Sequence, residues 1–260
     1  MSADLILSAL YGSPVLIGDY PEAVSFDRSL LSLPEQVSHI FLDQKLGHIY
    51  EDGFAELIER SDHYELLEKG LQIQSDCHRT LGELDFLIRD LTNGELIHLE
   101  LAVKFYLAVK SSDDLFLPGP DARDNYFKKL QHLRSHQTTI TQRFRCHLPQ
   151  PYREEDIKPK QLILGCLFDH INAQELAEPE YISSSVRRGK WLRQSEFYQH
   201  YSENELVAII PKYLWPVAVN DLDGVSLERL DLGQRIERCV LVQIQGEQLP
   251  VFIAPNDYPQ

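Results

Sequence analysis

The chain has 260 residues and a formal net charge of −15, from 25 Lys and Arg against 40 Asp and Glu. Its 43% hydrophobic content excludes a disordered chain. Taken as a single sum, the acid excess disfavours a protein that coats nucleic acid or an anionic membrane, since both demand a basic surface.

Residues 1–43 hold Pro14, Pro21 and Pro34 and read as an N-terminal extension of short irregular pieces with a helix. The opening MSADLILSAL carries an acid where a signal peptide needs positive charge, so no export is expected. Residues 44–60 have helical spacing, with Ile49, Phe54, Leu57 and Ile58 near one face. Residues 64–74 read as a strand, or as a strand after a short bend. Residues 84–89 and 96–107 are strands joined through Thr92-Asn93-Gly94, a strong hairpin signal.

Pro118-Gly119-Pro120 breaks the chain before a long helix expected over 123–145, with Phe127, Leu130, Leu133, Ile140 and Phe144 at helical spacing. Residues 161–168 read as a buried strand. Their apolar run is far too short to cross a bilayer. A capped short helix over 195–201 and strands at 207–210, 239–244 and 249–253 follow, the last two as a hairpin around Gly246. The reading is mixed α/β, with a core at 44–170 and a C-terminal α/β elaboration at 171–260 packed on it. Cys77, Cys146, Cys166 and Cys239 lie far apart without a CxxC pair. That disfavours a zinc site or a disulfide framework and points to a reducing cytoplasm.

The charge is unevenly spread. Residues 1–70 carry 13 acids and 4 bases, residues 194–260 carry 10 and 4, and the middle carries 17 of each. Within the middle, residues 120–147 hold six bases against two acids, and Arg187, Arg188, Lys190 and Arg193 surround Trp191. Such runs are either solvated faces or phosphate-contact surfaces. The Trp191 segment reads equally as a short edge strand with basic edge residues.

Side chains alternate faces along a strand. Leu84, Phe86 and Ile88 share one hairpin face with Leu99, Leu101, Val103 and Phe105. The opposite face carries Glu83, Asp85, Leu87 and Arg89 with His98, Glu100, Ala102 and Lys104. Two registers keep apolar with apolar. A two-residue turn sets Asp85 against Ala102, and a four-residue loop sets it against Glu100. The intermediate register flips every side chain. Both survivors make Asp85 and Glu100 cross-strand neighbours. Such a pair is either a hard-cation site or part of a charged, solvent-facing sheet surface.

Gly82-Glu83-Leu84-Asp85-Phe86-Leu87-Ile88, followed by Ile97-His98-Leu99-Glu100, resembles the hairpin of the PD-(D/E)XK nuclease superfamily. The GE(I/L)D form of the Holliday-junction-resolvase-like and RecB-like domains is the nearest in kind. Leu46-Gly47-His48 with Glu51, the GELDF stretch and residues 98–107 also resemble an uncharacterised bacterial family of unknown function, over most of the chain. The resemblance implies a restriction-endonuclease-like core (helix, three-stranded antiparallel meander, helix, further strand) with N- and C-terminal elaborations. It implies Mg²⁺ or Mn²⁺ held by Asp85 and Glu100, with Glu51 as a further ligand and Lys104 assisting the attacking water. The superfamily's lysine stands two residues after the Glu, where this chain has Ala102. Lys104 lies one pleat further on, and Lys128 or Lys129 on the next helix is a substitute.

The expected function is a metal-dependent nuclease of DNA metabolism, binding DNA weakly or structure-selectively. Lys128, Lys129, His136, Gln137, Arg187, Arg188, Lys190 and Trp191 are the candidate nucleic-acid contacts. Two other readings stand beside it: an inactive nuclease-fold module that binds nucleic acid or protein, and an interaction protein whose acidic flanks take a basic partner.

Overall fold

The computed structural model describes residues 2–34, 40–111, 114–203 and 205–259. The principal elements are α1 (Ser2–Gly12), α2 (Leu46–Glu59), β1 (Tyr64–Gln74), β2 (Thr80–Asp90), β3 (Leu96–Leu107), α3 (Tyr126–His132), β4 (Ile157–His170), β5 (Arg188–Arg193), β6 (Val207–Ile209), β7 (Val240–Ile244) and β8 (Val251–Ala254). One large sheet runs through the molecule in the order Glu228–Arg229, β6, β7, β8, β5, β4, β3, β2, β1. Both margins are antiparallel, while β3, β4, β5 and β8 are mutually parallel at the centre. Val24–Ser25 adds a short parallel pairing to β4. The fold is mixed α/β, and the segments at 1–43 and 171–260 join the same sheet as residues 44–170.

A central parallel strand is covered on both faces and therefore reads as continuous apolar sequence. β4 obeys this through the run at 162–168. On one face Leu99, Leu101, Val103 and Phe105 of β3 and Leu162, Leu164 and Cys166 of β4 pack under α1 and α2. On the other, Ala102, Tyr106, Ile163 and Leu167 pack under Tyr126, Leu130 and Leu133. Gly165 stands opposite Lys104 in the ladder. Its φ is +151°, and a Cβ there would run into the Lys104 carbonyl, so the two central strands meet where only glycine fits.

The β2–β3 connection is the four-residue loop. Asp90 N–H donates to the Glu95 carbonyl at 2.9 Å, and Phe86 pairs with Leu99. The Asp90 carboxylate shapes the loop by accepting from the Thr92 N–H and hydroxyl. Gly94 takes φ +78° to return the chain.

The long helix expected over 123–145 is interrupted. Asn125 caps α3 by accepting the Phe127 N–H at 3.0 Å. α3 then opens into a π turn at Leu133–Gln137, with the Thr138 N–H reaching back to the Leu133 carbonyl at 3.0 Å. The buried Thr138 hydroxyl donates to the same carbonyl at 2.9 Å. A separate short helix, Ile140–Arg143, follows. Helical periodicity survives such a break, because one extra residue in a turn still leaves most apolar positions inward.

The segment around Trp191 also departs from expectation. β5 is an interior strand, flanked in parallel by β4 and β8, and not a sheet edge.

Candidate active site

The β2–β3 ladder ends at Phe86–Leu99. Beyond that point β3 continues against β4, β2 continues against β1, and the two strands part. Asp85 and Glu100 are the next residues on each side of the split. Asp85 Oδ2 accepts the Leu101 N–H at 2.9 Å, so a carboxylate takes over from a backbone carbonyl at the point of divergence. Gly82 begins this stretch because a Cβ there would collide with Ile140 beyond the π turn.

Glu100 is 2% exposed. Its Oε1 is engaged by the Gln137 amide and, at 3.4 Å, by Lys129 Nζ. Its Oε2 is buried and has no hydrogen-bond partner among the described residues. Lys129 Nζ also donates to Gln137 Oε1 at 2.7 Å. In an uninterrupted α-helix, eight residues would leave Lys129 and Gln137 about 80° apart. The wider π turn under-rotates the chain and brings both side chains over the same carboxylate.

Burial raises the Asp85 carboxyl to about 8, and the charges of Glu100 and then Glu51 add to the effect against the Leu101 N–H and Lys129. Burial also raises Glu100, opposed by Lys129 and reinforced by Glu51. Glu51, on α2, therefore acts on both acids across the split. Its own carboxylate pairs with His48 Nδ1 at 3.1 Å. The charges thus converge from four elements: α2, β2, β3 and α3.

The match to a known family covers this whole arrangement: residues 24–240 fit the family described as Domain of unknown function (DUF1853). The chain belongs to that family. No curated protein and no solved structure matches the chain. The DUF1853 match takes in the acid pair, α2, α3 and most of the C-terminal elaboration.

In this DUF1853 protein several anticipated residues stand elsewhere. Lys104 shares the face of Glu100, but its Nζ is bound to Asp124 Oδ2 at 2.7 Å; Lys129 is the lysine beside Glu100. Ala102 is buried among the apolar residues under α3. Trp191 is 1% exposed and donates Nε1–H to the Ala108 carbonyl, which removes it as a stacking surface for bases. Arg187 donates to the carbonyls of Trp215, Pro216 and Val217, Arg188 pairs with Asp169, and Lys190 with Glu247. These three bases hold the C-terminal elaboration together. Lys128 is exposed, while His136 is half-buried and stacked on His132 at 5.1 Å.

Tyr20 has no sequence signal, whereas strand alternation already places His98 on the face of Glu100. Tyr20 lies in an irregular segment, yet its buried hydroxyl, without a partner among the described residues, feels the charge of Glu100. His98 is wholly buried, both ring nitrogens lack partners among the described residues, and burial holds it down at about 4, so it is neutral.

Among the described residues no group of three or more His, Cys, Asp or Glu side chains is arranged to hold a metal ion as it stands. The acid pair by itself suits Mg²⁺, which keeps several waters and is commonly bound through one or two carboxylates. The orphaned Glu100 Oε2 fits that role, since a buried carboxylate oxygen without a donor carries an uncompensated desolvation cost.

Proposed function

We propose that this protein is a metal-dependent phosphodiesterase acting on DNA, built on a restriction-endonuclease-like core. The observation that carries this reading is the buried Asp85–Glu100 pair at a strand split, with Lys129 and Gln137 closing on Glu100. The order helix, antiparallel meander, helix and parallel strand (α2, β1–β3, α3, β4) supports the same reading.

Asp85 and Glu100 are the residues that would hold Mg²⁺ or Mn²⁺, with Glu51 positioned to add negative charge. A bound divalent ion supplies Lewis-acid polarisation of the phosphate and a water of lowered pKa. Lys129 is the residue suited to orient that water and offset charge on the phosphate, in place of Lys104. Gln137 fixes Glu100 Oε1 and Lys129 Nζ relative to each other. The Leu101 N–H opposes the burial that raises the Asp85 carboxyl and so favours the ionised form that a cation needs.

The test is cleavage of labelled single- and double-stranded DNA with and without Mn²⁺. Activity that survives the double variant Asp85→Ala with Glu100→Ala overturns the proposal. A second reading, a binding module without hydrolysis, is favoured by Ala102 at the usual lysine position and by the Lys104–Asp124 pair. Metal binding and DNA binding without cleavage would select it.

A further inference from the structure

A cavity of about 510 Å³ opens at the carboxyl ends of β3, β4 and β5. Ala108 and Lys110 follow β3, Asp169 and His170 end β4, and Arg193 ends β5. Crevices outside the carboxyl ends of parallel strands are where open α/β sheets commonly take ligands, and the volume suits a small molecule. Eight residues of extended strand separate Glu100 from Ala108, roughly 26 Å, so this cavity is distinct from the acid pair.

Its polar groups divide into spent and unspent. Asp169 is spent: Oδ1 accepts the Ala177 N–H at 2.8 Å and Oδ2 pairs with Arg188 at 3.0 Å. His170 is spent as well, with Nδ1 accepting the Asn172 N–H at 3.3 Å and Nε2 facing Glu196 Oε2 at 3.2 Å. Its ring packs edge-on against Trp191 and forms a rigid aromatic wall.

The donors are different. Among the described residues the Arg193 guanidinium uses only Nε in a hydrogen bond, to the Tyr258 carbonyl at 3.3 Å. Its Nη1 lies 3.9 Å from Glu196, beyond hydrogen-bond distance, and its guanidinium stacks over Trp191 at 5.5 Å. Among the described residues Lys110 Nζ has one loose contact, 3.7 Å from Glu175, whose side chain is 85% exposed. The side-chain amides of Asn172 and Gln174 form no hydrogen bond among the described residues, and both line the cavity. The cations Arg193 and Lys110 therefore keep donor capacity, the two amides offer donors and acceptors, and of the two lining carboxylates Asp169 is paired with Arg188 while Glu175 lies at the exposed rim.

We propose that this cavity binds a small oxyanion-bearing molecule, with the Arg193 fork gripping the oxyanion, Lys110 completing its charge and the Asn172 and Gln174 amides contacting the remainder. A guanidinium fork matches the paired oxygens of a phosphate or a carboxylate alike. The class is thus an organic phosphate or an organic carboxylate. The site does not depend on the phosphodiesterase reading.

The test is titration calorimetry on the full chain with inorganic phosphate, glycerol phosphate and citrate, each also followed by tryptophan fluorescence. Saturable binding of the phosphates assigns a phosphate ligand, binding of citrate alone a carboxylate, and either supports the site. Arg193→Gln should weaken binding by at least about tenfold, because a charged hydrogen-bond partner is lost. Lys110→Gln should weaken it several-fold. Far-UV dichroism and cooperative unfolding establish that Arg193→Gln folds. If it does not, Lys110→Gln decides, since only an exposed ion pair is lost there. Failure of all three probes to bind overturns the proposal, and so does binding unchanged in the folded variants.

Discussion

Asp85 and Leu101 are joined where two strands part: Asp85 Oδ2 accepts the Leu101 N–H at 2.9 Å. The side chain does the work of a ladder carbonyl, which ties a buried acid to the backbone of the strand that carries Glu100. Asp85→Asn keeps an oxygen for this N–H, whereas Asp85→Ala leaves it buried and unpaired. Asp85→Ala should therefore be less stable than Asp85→Asn by about 1–3 kcal/mol. Urea denaturation of the metal-free proteins measures the difference, and equal stabilities would show that the bond contributes nothing.

The same carboxyl sets a pH dependence. Its folded value of about 8 lies above the about 3.9 of an unfolded Asp, so the folded state keeps a proton that the unfolded state has lost. Stability of the metal-free protein falls as pH rises through that interval. His98 works in the opposite sense: its folded value of about 4 lies below 6.5, so stability rises with pH between them. The two offset each other below pH 6.5, and from 6.5 to about 8 the fall stands unopposed by His98. Asp85→Asn should flatten that fall, read as the urea midpoint in the presence of a chelator. A variant with the wild-type slope would refute the assignment.

The two lysines should separate cleanly. Lys129→Met removes the only lysine contact to Glu100 among the described residues and should lower DNA cleavage by about 10²-fold or more, in line with positioned proton-handling groups. Metal affinity should be kept or raised, because a competing cation is gone. Lys104→Met breaks a half-exposed pair with Asp124 and should leave cleavage within about threefold, since exposed pairs contribute at most about 1 kcal/mol. The reverse ranking in a Mn²⁺ cleavage assay would return the role to Lys104.

Gly82→Ala tests the seating of the π-turn segment on β2. The added Cβ meets Ile140, and overpacking of this kind costs about 1–3 kcal/mol. Thermal unfolding reads the loss. Because Ile140 follows the segment that carries Gln137, cleavage should fall with it under conditions where the variant remains folded.

Much of the architecture was legible in the sequence because its signals are local. The alternation of the hairpin placed Asp85 and Glu100 together in either register, and the structure adopts the four-residue loop of the two. The helix near 44–60 rests on its apolar spacing, and it forms, as does the strand read at 64–74. The rest depends on non-local partners. Lys104 is captured by Asp124, twenty residues on in an irregular stretch, and nothing in strand alternation foretells that. The meeting of Lys129 with Gln137 needs a π turn, which leaves no mark on an apolar pattern. Trp191 looked available because basic residues flank it, but β4 and β8 enclose its strand from both sides. The strand that does so on one side is Val251–Ala254, some sixty residues later in the chain.

That late strand bears on how the protein is made. β5 is paired with β4 on one flank, but its second flank is covered only once Val251–Ala254 has been synthesised, and β8 also supplies one of the two partners of β7. Until then a nascent chain carries an open strand edge beside its long apolar strand β4, the kind of unpaired backbone that recruits other chains. A product terminated before this strand would accordingly be a seed for aggregation rather than a smaller folded unit.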